Sequence, residues 1–213
     1  MLGLKTFLPH LSKLLLLSKG ALYARQRELT RVGLLENVPG RGPGSGVRLT
    51  PETVGTLLIA VLSTDNLSEV ADKTKVFADL KPSVKGPGEP KTFKAAIVSA
   101  LSENAPQPNE PANYPETVSV NRTNLQASIH YPSGKVVHFG KLPHHGNAGL
   151  NVNATLVGVI ELARELLELA ENKPEEKLSL HRASMSIGKK HLLALQRGEI
   201  LPTQLITNED RKK

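Results

Sequence analysis

The sequence predicts an α+β protein, in which a mainly helical N-terminal part is followed by a small antiparallel sheet with a long packed helix. Apolar residues recur with the helical period of about 3.6 before residue 104, and with the strand period of two over 116–139. Between these regions, the string NAPQPNEPANYP (104–115) contains four prolines and is typical of a linker. The predicted domains are a helical DNA-binding-like domain at 1–104 with its core at 5–63, a linker at 105–115, an α+β domain at 116–206 and a disordered tail at 207–213.

The first two predicted helices are amphipathic and close together in sequence. Residues 4–17 form the first, which we expect to be split or restarted at Pro9 because proline suits the first turn of a helix. Residues 21–33 form the second, which ends at Gly33. The three residues Ser18–Gly20 form the predicted turn between them, so the pair has the outline of a helix-turn-helix unit.

The remaining elements follow from caps, turns and apolar periodicity. Thr50 followed by Pro51 is a typical helix start, and the apolar string PETVGTLLIAVLST continues it. Pro132-Ser133-Gly134 predicts a hairpin turn between two strands. A wide apolar stripe predicts a long helix over 152–171 that packs on the sheet. The other predicted helices are at 67–80, 91–103 and 184–197, and the predicted strands are near 116–121, 124–131 and 135–139.

Positive charge is concentrated at the N-terminus. The whole chain has a net charge of +7 and a pI near 9.6. Residues 1–50 contain eight lysines and arginines against two glutamates, so they carry +6 (8 − 2) of that excess. This asymmetry favours an N-terminal module that binds an anionic partner.

Several classes of protein are excluded or disfavoured by composition. The chain has no cysteine, which excludes disulfides, thiolate metal sites and cysteine nucleophiles. Lysines, a proline and a histidine interrupt the apolar N-terminus, so it does not fit a secretory signal, and no segment approaches the roughly 20 apolar residues that span a bilayer. We therefore expect a cytoplasmic protein without membrane contact. The glycines of 40–46 follow a predicted helix rather than a strand, and no P-loop string occurs, so a nucleotide cradle is disfavoured.

The helix at 21–33 carries the strongest candidate for a functional surface. At about 100° per residue, Leu22, Leu29 and Val32 fall on one side. Arg25 lies near this apolar arc and can pair with Glu28 three residues on, so we expect it to be structural. The opposite side gathers side chains that donate to phosphates and base edges, and the loop GRGPGSGVR that follows adds arginines to a backbone that can approach DNA closely. The candidate DNA-binding residues are Lys19, Tyr23, Arg27, Thr30, Arg31, Arg41 and Arg48.

A resemblance supports the same interpretation. The string ALYARQRELTRVGLLENVPGRGPGSGVRLTPETVGTLLIAVL has an arginine-rich helix ending in GLL, a Gly/Arg-rich loop, and a Thr-Pro that leads into a Leu/Ala-rich helix. It resembles the winged helix-turn-helix-like N-terminal module of uncharacterised bacterial and prophage-type DNA-binding proteins, over about residues 5–63. The resemblance implies binding of double-stranded DNA, in transcription regulation or in phage DNA handling, and it fixes no activity.

Other functions remain open at this stage. The basic helix and glycine loop also fit a solvated surface followed by a flexible linker. A second alternative is a protein–protein adaptor or phage structural component, in which the basic helix meets an acidic protein surface. A third possibility is a metal site, and hence a metal-dependent enzyme, built from His130, His138, His144 and His145. No catalytic triad, H-E-x-x-H string or carboxylate pair stands out, so we expect no enzymatic activity and no cofactor. Part of the stripe at 152–171 is a candidate for a homo-oligomer contact, which would let a DNA-binding protein address two half-sites.

Overall fold

The computed structural model of the chain describes residues 3–40, 45–84, 89–102, 115 and 117–141, and the backbone of 151–155. In this part of the chain the fold is α+β, as predicted, with α-helices and a four-stranded antiparallel sheet. The helices are α1 (Leu4–Leu14), α2 (Lys19–Arg31), α3 (Pro51–Ser63), α4 (Val70–Ala78) and α5 (Phe93–Leu101), and one 3₁₀ turn (Leu67–Glu69) precedes α4. The strands are β1 (Thr117–Asn121), β2 (Gln126–His130), β3 (Val136–Phe139) and β4 (Asn151–Thr155).

The boundary between the first two helices differs from the prediction. α1 continues through Pro9, so the expected split is wrong, because its buried leucines and Phe7 form one uninterrupted apolar face. The turn is Leu15–Ser18 rather than Ser18–Gly20. Ser18 is the N-cap of α2 and its hydroxyl accepts a hydrogen bond from the Ala21 amide at 3.1 Å. A serine cap is preferred at this position, and it places Lys19 and Gly20 in the first turn of the helix.

The end of α2 and the start of α3 are as the sequence predicts. Gly33 follows α2 with a φ of 75°, the left-handed conformation that favours glycine and terminates helices. Thr50 caps α3, since its hydroxyl accepts from the Thr53 amide at 3.2 Å while the Thr53 hydroxyl accepts from the Thr50 amide at 2.9 Å. This reciprocal pair is a capping box with threonine at both positions.

The sheet has the strand order β3-β2-β1-β4. The predicted hairpin at Pro132–Gly134 is confirmed, since β2 and β3 pair antiparallel across it and the Tyr131 amide donates to the Lys135 carbonyl at 3.0 Å. The predicted helix over 152–171 is wrong at its start, because Asn151–Thr155 is strand β4 and pairs with β1. Its alternating sequence Asn-Val-Asn-Ala-Thr suits strand pairing, although Val152 also fits the helical stripe that continues at 156. Residues 156–171 lie outside the described residues.

The helices and the sheet share one hydrophobic core. α3 packs against α2, α4 and α5. The Phe93 ring of α5 meets the Phe139 ring of β3 with centroids 5.4 Å apart, and both rings are fully buried. Residues 1–171 form one compact unit. Of the predicted linker at 105–115, only Pro115 is among the described residues. None of the helices in this part of the chain is both long and apolar enough to cross a membrane.

Candidate nucleic-acid interface

The outer face of α2 and the base of the following loop line one open cleft of about 720 Å³, which we call the α2 cleft. α2 contributes Tyr23, Ala24, Gln26, Arg27, Glu28, Thr30 and Arg31, and the chain around it contributes Gly3, Lys5, Asn37, Ser45, Gly46, Val47 and Leu67. The cleft thus brings together four of the seven candidate residues predicted from the sequence.

The amphipathic character of α2 places these side chains at the surface. Leu22 and Leu29 are fully buried, which fixes the opposite face of the helix outward. Arg27 and Arg31 are exposed there, and Arg27 has no ion pair with another described residue. Val32, predicted to lie on the apolar side, is 40% exposed because α2 ends at Arg31 and Val32 begins the turn.

Tyr23 is accompanied by a lysine from the neighbouring helix. The Lys5 ammonium of α1 lies 5.7 Å from the centroid of the Tyr23 ring, which is the geometry of a cation–π contact. Sequence reasoning did not select Lys5. Its position near the start of α1 is informative only once the crossing of α1 and α2 is known.

Arg31 forms a two-point ion pair on the same helix. Its Nε donates to Glu28 Oε2 at 3.0 Å and its Nη2 donates to Glu28 Oε1 at 2.5 Å. These hydrogen bonds lower the pKa of the Glu28 carboxyl and raise the pKa of the Arg31 guanidinium. Both groups are therefore charged at neutral pH, and the pair fixes the Arg31 side chain over the helix surface.

Arg25 has a different partner from the one predicted. It is buried, and it donates from Nη2 to the carbonyl oxygens of Thr64 at 3.2 Å and Asp65 at 3.4 Å. The predicted pair with Glu28 is wrong because Arg25 faces the end of α3, while Glu28 pairs with Arg31. The prediction that Arg25 is structural is confirmed by its burial.

Two further polar residues lie in the α2 cleft. The Thr30 hydroxyl donates to the Gln26 carbonyl at 2.8 Å, so only its acceptor lone pairs remain for a ligand. Gln26 is 8% exposed, and its side-chain Oε1 has no hydrogen-bond partner among the described residues. An unpaired buried acceptor costs free energy, and a donor entering the cleft would satisfy it.

The loop after α2 is closed at its base. Val38 and Gly46 exchange two backbone hydrogen bonds of 3.0 and 2.8 Å, and Gly46 takes a φ of 95°, which favours glycine. The Leu4 amide then donates to the Val47 carbonyl at 2.8 Å, so the returning segment is tied to the start of α1. This loop, of which residues 38–40, 45 and 46 are described, is called the hairpin below. Its base lies beside the exposed face of α2.

The other candidate residues do not line the α2 cleft. Arg48 is exposed and borders a separate cleft of about 700 Å³, together with Lys94 and Glu52. Lys19 is exposed at the first position of α2. Arg41 lies outside the described residues, as do the other hairpin residues from 42 to 44.

The histidines of the sheet share a face but form no metal site in the described part. The strand register places His138 of β3 directly opposite Ser128 of β2. Ser128 and His130 are two residues apart on β2 and therefore share a face, so both imidazoles are on the same side of the sheet. His130 Nε2 lies 2.9 Å from the Ser128 hydroxyl. No group of three metal-ligating side chains occurs among the described residues, and His144 and His145 are not among them.

Comparison with protein-family models, curated proteins and solved structures finds no match for this chain. The resemblance to winged helix-turn-helix modules therefore stays a prediction. The geometry of the α2 cleft is the basis for the function proposed below.

Proposed function

We propose that the protein binds double-stranded DNA through the α2 cleft, with α2 in the major groove and the hairpin alongside as a wing. The observation that carries the proposal is the placement of Lys5, Tyr23, Arg27 and Arg31 on one open surface beside the hairpin. In keeping with the resemblance, its role would be transcription regulation or phage DNA handling, and a homo-oligomer would address two half-sites.

The dimensions and chemistry of the surface fit duplex DNA. α2 has 13 residues and is therefore about 20 Å long, and its exposed face can enter a groove about 12 Å wide. Arg27, which has no ion pair among the described residues, and Lys5 supply charge for phosphates. The glycine-containing base of the hairpin lets backbone amides come close to a sugar-phosphate strand.

Charge removal at the cleft tests the proposal. We expect wild-type protein to bind a random-sequence duplex at about 50 mM salt, with affinity that falls steeply as salt rises. The double variant Arg27→Ala/Arg31→Ala should lose about tenfold or more in affinity, and its salt dependence should become shallower by roughly one counterion, from the loss of Arg27. Fluorescence anisotropy over a salt series measures both quantities.

A matched control removes the same charge elsewhere. Lys75 and Lys91 are exposed and line neither cleft, so Lys75→Ala/Lys91→Ala should bind within about threefold of wild type. Absence of duplex binding at about 50 mM salt, or equal losses in the two double variants, would refute binding through the α2 cleft.

A further inference from the structure

We infer that Arg31 reads a guanine in the major groove and that Glu28 is the positioning residue that prepares it. This inference rests on the proposed function and adds a base preference to it. The basis is the two-point ion pair, in which the Glu28 carboxylate accepts hydrogen bonds from Nε and Nη2 of Arg31.

The ion pair leaves one edge of the guanidinium free for DNA. A guanidinium has five N–H donors, and Glu28 accepts one from Nε and one from Nη2. Three hydrogens remain, two on Nη1 and one on Nη2, and one from each nitrogen together form a second edge of two parallel donors. The Arg31 side chain is 70% exposed and lines the α2 cleft, so this edge is accessible to a ligand. Two parallel donors match the O6 and N7 acceptors that guanine presents in the major groove.

The neighbouring carboxylate favours a base edge over a phosphate. A phosphate also accepts a guanidinium fork, but here it would approach a charge that Glu28 already neutralises and would be repelled by the carboxylate. A guanine edge is uncharged and needs only directed donors. Arg27, one turn earlier on α2, has no such partner among the described residues and suits the phosphate role.

The same ion pair restricts the motion of Arg31 before DNA binds. A free arginine side chain loses much rotamer freedom when it is fixed at an interface, and this loss weakens binding. Glu28 holds the guanidinium by two hydrogen bonds in the unbound protein. Part of the ordering is therefore already complete, and the direction of the free edge is set by the helix.

Selection of bound sequences from a random duplex pool tests the inference. Wild-type protein should enrich a guanine at one position, with a preference of roughly five- to 100-fold over other bases. Arg31→Lys keeps the charge but has no planar fork, so the guanine preference should fall to a few-fold or less while affinity for the unselected pool stays within about threefold. Arg27→Lys, on the same face, is the matched control and should retain the guanine preference.

Glu28→Gln provides the readout specific to a positioning role. It removes one negative charge, so affinity for the unselected pool should stay equal or rise, while the guanine preference should fall because Arg31 is no longer held by a carboxylate. Circular dichroism checks that each variant is folded. An unchanged guanine preference in both Arg31→Lys and Glu28→Gln, or enrichment of no guanine by wild type, would overturn the inference and leave DNA binding standing. No binding of the pool at all would overturn the proposed function as well.

Discussion

Four arginines among the described residues occupy two contrasting environments. On the outer face of α2, Arg27 and Arg31 are exposed and line an open cleft. At the C-terminal end of α3, Arg25 and Arg122 donate to backbone carbonyls inside the protein. Arg25 and Arg27 are only two residues apart on one helix, yet Arg25 is 7% exposed while Arg27 is exposed to solvent. The role of each guanidinium is thus decided by the helix face it lies on.

The end of α3 explains why two arginines converge there. The last carbonyls of a helix have no partner within the helix, and that end carries partial negative charge. Arg122, from the turn after β1, donates from Nε to the Leu62 carbonyl at 2.7 Å and from Nη2 to the Val61 carbonyl at 3.1 Å. Arg25 of α2 bonds the carbonyl of Thr64, the next residue past α3. These bonds connect α2, α3 and the sheet at one point.

Replacement of Arg122 should have the largest effect on stability. Arg122→Ala leaves two partly buried carbonyls without their donors and removes this hydrogen-bonded link between the sheet and α3. We expect the free energy of unfolding to fall by about 3 kcal/mol, measured by urea denaturation. Arg27→Ala is the matched control and should change stability by less than about 0.5 kcal/mol, since Arg27 is exposed and has no ion pair among the described residues. Equal effects of the two replacements would remove the contrast between the two environments.

Replacement of Arg25 separates stability from binding. Arg25→Met keeps most of the buried volume but loses the bonds to Thr64 and Asp65, so we expect a loss of about 1–2 kcal/mol in unfolding free energy. We expect a smaller loss than for Arg122, because the buried Nε of Arg25 has no hydrogen-bond partner among the described residues. Replacement by methionine removes this unpaired donor, which offsets part of the free energy lost with the two hydrogen bonds. DNA affinity should be unchanged, since Arg25 does not line the α2 cleft.

Arg27→Met should show the opposite behaviour, with stability retained and DNA affinity reduced. Urea denaturation and fluorescence anisotropy on the same two variants provide the comparison. If Arg25→Met were the one to weaken DNA binding while remaining folded, Arg25 would have to be part of the interface, and the division of α2 into a structural and a binding face would be incorrect.

Much of this arrangement could be predicted from local sequence signals. The caps at Thr50 and Gly33 and the turn at Pro132–Gly134 depend on a few adjacent residues, and each is confirmed. The start of β4 was missed because Val152 fits both a helical stripe and a strand alternation, and only its pairing with β1 decides between them. Local periodicity does not include information on pairing with a distant strand.

The candidate site was predictable to the extent that it lies on one helix. The period of α2 was sufficient to group Tyr23, Arg27, Thr30 and Arg31. Lys5 was missed, and Arg25 was given the wrong partner, because their contacts come from α1 and from the end of α3. For Arg25 and Arg31, both three residues from Glu28, spacing alone does not determine the partner, since the pairing depends on which arginine is drawn into the core.

Replacement of Asp65, which forms an ion pair with Arg122, should have the smallest effect on stability. It separates the contribution of this ion pair from that of the hydrogen bonds between Arg122 and the carbonyls of α3. The Asp65 side chain is 83% exposed, so solvent screens the pair, and Asp65→Asn should cost no more than about 1 kcal/mol at pH 7.

The hydrogen bonds from Arg122 lower the pKa of Asp65 below its ordinary value. A carboxyl whose pKa is lowered by folding stabilises the protein above its unfolded pKa of about 4, and this contribution is lost as pH falls through the folded pKa. The difference in unfolding free energy between wild type and Asp65→Asn should therefore be constant from pH 7 to about 5 and shrink as pH falls below about 4. A difference that does not shrink in acid would show that the effect of the replacement does not come from the carboxylate charge. If the difference shrinks while Arg122→Ala remains far more destabilising, the bonds from Arg122 to the carbonyls of α3, rather than its ion pair, account for most of its contribution.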